Sequence, residues 1–126
     1  MEKALRHELA SQITQLKDSI YPTNAPEGVT KPYLVYARIT TRRTKTLEGF
    51  TDKQALSFMF SIMAPKYSDM KSLAKQVEDF LIGIPGTNIG DQDQIYVEDL
   101  DINNISEVYE HELGVHRGII DFTIYY

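Results

Sequence analysis

The sequence predicts an α+β domain, a mixed, largely antiparallel sheet of about five strands packed with two α-helices in the order α-β-β-α-β-β-β. Three observations carry this. Apolar residues recur at helical spacing near the N-terminus, they do so again after Pro65, and "LSFMFSIM" and "GIIDFTIYY" alternate with the period of a strand. A chain of 126 residues is sized for one domain, 1–126, with a real core.

Each element follows from local chemistry. Leu5, Leu9, Ile13, Leu16 and Ile20 form one stripe, which predicts a first helix over Glu2 to Lys17. "YPTNAPEGVTKPY" holds three prolines and a glycine, and proline removes an amide donor while fixing its own backbone, so an irregular connector is expected. "YLVYARI", 33–39, is β-branched and aromatic and reads as a strand. "TTRRTKTLEGFTDK", 40–53, is polar and basic with no sustained apolar period, which predicts a mobile loop.

Leu56, Phe58, Phe60 and Ile62 then share one strand face, opposite Ser57, Met59, Ser61 and Met63. The methionines suggest that this second face is also covered, by a helix or by a neighbouring subunit. The second helix has Ser68 as its expected cap and Met70, Leu73, Ala74, Val77, Phe80 and Leu81 as its stripe, with Gly83 and Pro85 ending it. "QIYVEDLDI" reads as a third strand and "ISEVY" as a short fourth. In the last, Gly118, Ile120, Phe122, Ile124 and Tyr126 share a face, and this terminal strand is expected inside the sheet because an unpaired one frays.

Composition excludes some chemistry. Without cysteine there is no disulfide, thiolate nucleophile or cysteine-ligated metal. No stretch has the unbroken apolar run of a signal peptide or membrane span, so a soluble protein made inside the cell is expected, with no membrane partner. The net charge of −5 is unevenly spread. Arg38, Arg42, Arg43 and Lys45 cluster in the first half, while Glu98, Asp99, Asp101, Glu110 and Glu112 belong to an acidic stretch, 91–112, that contains no lysine or arginine. Each set reads most simply as a solvated surface. The sharper reading is that they meet between copies of the chain or with a partner, since complementary fields favour one docking register.

"HELGVH", 111–116, comes near the zinc-peptidase pattern H-E-x-x-H, in which two histidines four apart on a helix reach one ion. Here they lie five apart with Gly114 between them, and strand-like alternation follows, so a turn between two strands explains the segment better. "GIPGTNIG" follows a helix instead of opening one and is a poor phosphate cradle. No serine sits in a G-x-S-x-G elbow. No residue is therefore assigned a catalytic, metal-binding or cofactor-binding role. The cations at 38–45 leave one alternative, a nucleic-acid-binding accessory protein, although the footprint is small and the chain is acidic overall.

The ordered set of pieces resembles one family. The N-terminal amphipathic helix, "IYPTNAPEGVTKPYLVYARI" at 20–39, the alternating strand at 56–64, the helix after Tyr67 and above all "YEHELGVHRGIIDFTIYY" resemble the tail completion proteins of long-tailed bacteriophages, a group similar to siphophage head-to-tail joining proteins. Glu110, Gly114, Arg117, Asp121, Phe122, Thr123 and Tyr126 fall on matching positions of the closing hairpin, whereas His116 stands where that family commonly has an aromatic residue. The resemblance implies an α+β subunit of a virion or prophage tail, made in the host cytoplasm and placed at the head-proximal end of the tail. It implies a ring, a hexamer, that caps the tube of major tail protein and joins it to the head connector or stopper. Genomic DNA passes through such a ring without specific binding, and no reaction or cofactor is implied.

Overall fold

A computed structural model describes the chain apart from residues 24, 26–31, 47, 48 and 93, and gives the backbone course alone for 42–46 and 49–52. The fold is α+β. Among the described residues the main sheet has the order β1-β2-β3-β7-β6, built from β1 (Ile20–Pro22), β2 (Tyr33–Thr46), β3 (Gly49–Ala64), β6 (Asp99–Glu110) and β7 (Val115–Tyr125). β1 runs parallel to β2, and the other neighbours are antiparallel. The helices α1 (Glu2–Gln12) and α2 (Tyr67–Gly83) pack on one face of it. A small ladder pairs β4 (Asn88–Ile89) with β5 (Ile95–Tyr96).

The core is where the helical stripes meet the apolar strand face. Leu5 and Leu9 from α1, and Leu73, Val77, Phe80 and Leu81 from α2, join Leu34, Leu56, Phe58, Phe60, Ile62, Ile120, Phe122 and Ile124 in one buried cluster. Its centre is aromatic. Phe58 and Phe122 stack at 5.6 Å between ring centroids, and Phe60 meets Phe122 edge to face at 4.7 Å, a geometry that aligns ring edge with ring face. Gly118 lies under α2 because a Cβ there would stand 2.8 Å from Met70 Sδ. Burial of the terminal strand between β3 and β6 agrees with its expected place inside the sheet.

Several boundaries differ from the sequence reading. The segment 40–53, expected as a mobile loop, is strand on both sides of residues 47 and 48, so β2 and β3 form one long hairpin. Its threonines at 40, 41, 44, 46 and 51 suit an extended backbone, and the β2–β3 ladder pairs the inward-facing amides of both strands without a sustained apolar period. The first helix ends at Gln12, and Thr14–Leu16 continues as a tight 3-10 turn that still buries Leu16. Part of the proline-rich connector pairs as β1, while its centre lies outside the described residues.

The expected cap at Ser68 is also corrected. Lys66 is the N-cap, no side chain caps the helix, and Asp69 in the first turn supplies the favourable negative charge at the helix start. The expected third and fourth strands are one strand, β6, preceded by the separate β5. The polar pair Asn103-Asn104 marks a bulge, and Asn103 Nδ2 donates to Thr123 Oγ1 at 2.9 Å.

Candidate assembly surfaces

The chemistry-bearing residues fall into three places: the β6–β7 turn, the sheet face opposite the helices, and the two sheet edges. "HELGVH" is the turn of the closing hairpin. The bonded turn spans 111–114, Gly114 adopts φ +65°, and its amide donates to Glu110 O at 2.8 Å. A left-handed backbone is costly for residues with a Cβ, which accounts for glycine here. The two histidines both pack on Tyr109, with ring centroids 4.9 Å away for His111 and 4.8 Å for His116. His116 also meets Tyr67 edge to face at 5.4 Å, so it fills an aromatic position between α2 and β6. Among the described residues no group of three or more histidine, cysteine or acidic side chains converges.

Around that ring cluster, Tyr67 donates to Glu107 Oε2 at 2.7 Å and Lys71 pairs with the other oxygen of the same carboxylate. The Lys71 ammonium, followed by the Tyr67 hydroxyl, holds the Glu107 carboxyl below the usual range. In return Glu107 raises Lys71 and Tyr67 above theirs. This exposed triad ties the start of α2 to β6.

The face opposite the helices carries a second node. Arg117 donates to Ser61 Oγ from Nε at 3.0 Å and from Nη2 at 2.9 Å, and to Glu110 Oε1 from Nη1 at 3.2 Å. Ser61 is almost fully buried, so the fork satisfies a hydroxyl that has left water. Met59, Met63, Val35 and Ile119 lie half-buried nearby, and among the described residues no helix covers this face. Asp121 on the same face has a buried Oδ1 without a hydrogen-bond partner there.

The predicted charged residues divide between the two edges. Arg38, Arg42, Arg43 and Lys45 belong to β2, near one edge, and Asp99, Asp101 and Glu110 belong to β6, the opposite edge strand. Arg38 Nε lies 3.5 Å from Glu2 Oε1, and the side chains of the other three cations lie outside the described residues. Glu98 pairs with Lys53, Asp99 accepts from the Leu100 amide at 2.8 Å, and Asp101 accepts from Tyr125 OH at 3.0 Å. Glu112 is exposed in the turn. The fold does not bring the two sets together within one chain.

Sequence reasoning did not single out Ser61, Tyr67, Lys71 or Glu107. A serine in an alternating strand carries no mark of its partner 56 residues away. β6 also exposes Ile105, Val108 and Tyr109, which the interruption at Asn103-Asn104 concealed as a continuous strand.

A chain of a solved structure described as "Virion of native gene transfer agent (GTA) particle" superposes with a TM-score of 0.63 at 13% identity, covering 93% of this chain and 82% of that one. The likeness is one of fold. The sequence itself matches the model of the family "Tail completion protein gp17" over residues 3–126, and the chain belongs to that family. It is thus a structural component of a phage tail. No match was found among the curated proteins.

Proposed function

We propose that the chain assembles head to tail into a closed ring, a hexamer, that caps the head-proximal end of the tail tube and joins it to the head connector or stopper. The chain acts as one domain, 1–126, made in the host cytoplasm and carried in the virion. Genomic DNA passes through the ring without specific binding, and the role is structural, with no reaction and no cofactor.

One observation carries the reading beyond family membership. Cyclic head-to-tail assembly needs two different, complementary surfaces on each subunit, and this chain sets a basic strand near one edge of its sheet and an acidic strand at the other. The alternative, nucleic-acid binding through residues 38–45, has a smaller footing because Arg38 already faces Glu2.

The test is complementation. Phage deprived of this gene should yield heads and tubes that do not join, and purified protein added to them should restore joined particles. Joined particles forming without the protein would sink the proposal.

A further inference from the structure

We propose that neighbouring copies are joined strand to strand, the acidic outer edge of β6 in one copy pairing antiparallel with the basic outer edge of β2 in the next. This rests on the ring reading above and says how the ring is built.

Backbone need comes first. β6 is an edge strand of 12 residues, so one side of it presents amides and carbonyls with no partner within its own sheet. At the other edge β1 pairs with Leu34–Tyr36 alone, and among the described residues no strand pairs with the outer side of β2 from Ala37 to Thr46. Among the described residues each copy thus offers two edges without a strand partner, of different length and sequence.

Direction is compatible. β2 and β7 run the same way and β3 and β6 run against them. Rotation about an axis along the strands preserves these directions, so β6 of one copy meets β2 of the next antiparallel. That ladder is the more stable kind and needs no crossover connection. The level is compatible too. Arg42 pairs with Ala55, Ala55 with Tyr125 and Tyr125 with Asp99, so Arg42 and Asp99 end one row across the sheet. Thr40 and Asp101 end the adjacent row on the same sheet face.

Charge then selects the partner. Cross-strand opposite charges stabilise a pair and like charges oppose it. Two β6 edges repel through Asp99 and Asp101, and two β2 edges through Arg42, Arg43 and Lys45, which leaves the mixed pairing. Ile39, 53% exposed at the bulge of β2, gains cover from the incoming strand. The bulge in β6 at Asn103 lies between one and two rows from the level where β1 ends, and a bulge bends its strand, which lets β6 pass from the flank of β1 onto β2.

The test uses two full-length variants, Asp99→Lys with Asp101→Lys and Arg42→Glu with Arg43→Glu, compared with the wild type by sedimentation velocity and by electron microscopy on tail tubes. Each variant alone should lose assembly by more than tenfold in midpoint concentration. An equimolar mixture should regain it, because alternating copies again present opposite edges and a hexamer accommodates alternation. Asp99→Asn and Arg42→Gln, which remove a charge without reversing it, should each weaken assembly less and make it less sensitive to salt. Wild-type rings together with variants that assemble unchanged, or with a mixture that does not recover, overturn the strand pairing and leave the ring intact. A wild type that neither associates nor caps tubes overturns the ring itself.

Discussion

Arg117 reaches across the hairpin turn to Glu110, with Nη1 3.2 Å from Oε1, while its Nε and Nη2 hold Ser61 on β3. The ion pair alone contributes little, since both side chains are partly exposed and solvent screens them. The fork on the buried serine matters more. Arg117→Ala should lower unfolding stability in urea by about 1–2 kcal/mol, because a buried hydroxyl loses its partner. Glu110→Gln should cost less than about 1 kcal/mol. Equal losses in the two variants would show that the pair, not the serine, is the stabilising contact.

Phe122 packs against both Phe58 and Phe60 at the centre of the core. Phe122→Ala should destabilise by about 3–5 kcal/mol, and Phe122→Leu by less, since the smaller cavity forfeits fewer contacts. Chemical denaturation resolves both. A loss under 1 kcal/mol for the alanine variant would place the core elsewhere.

At Gly118 the predicted defect is the opposite, overpacking. A Cβ would press on Met70 Sδ and reach 3.4 Å from Ala74 Cβ, so Gly118→Val should cost about 1–3 kcal/mol. Restoring space with Met70→Ala in the same chain should recover part of that loss relative to the sum of the single variants. Strict additivity would contradict the close approach of α2 to β7.

The Tyr67, Lys71 and Glu107 triad makes a pH prediction. Glu107 is held below the usual carboxyl range, so its contribution is present above the ordinary glutamate value and fades as pH falls through the lowered one. Lys71 and Tyr67 are raised, so their share is present below their ordinary values and fades as pH rises through the raised ones. The stability gap between wild type and Glu107→Gln should therefore hold near neutrality and close on acidification, as pH falls from the ordinary glutamate value through the lowered one. Thermal melts across that range check it, and a gap that stays constant in acid contradicts it.

Much of this fold was legible because the sequence and the packing speak the same period. The stripes of α1 and α2 and the alternation of β3 and β7 each buried the face they announced, and "HELGVH" proved to be a turn on its spacing and its glycine. The polar arm of the β2–β3 hairpin was not legible, because ladder hydrogen bonds and threonine preference hold it without any apolar signal. β6 was divided at Asn103-Asn104 for a related reason, since two asparagines mark a bulge as readily as a turn. The charged sets were visible as composition, but their separation onto opposite edges follows from the strand order, which no local pattern in the chain encodes.

The central claim is tested most directly by electron microscopy of purified tail tubes incubated with the protein. The account predicts a six-fold ring on one end of each tube, the end that then accepts the head connector. Protein scattered along the tube wall, bound at both ends alike, or absent from tubes at saturating concentration would contradict it.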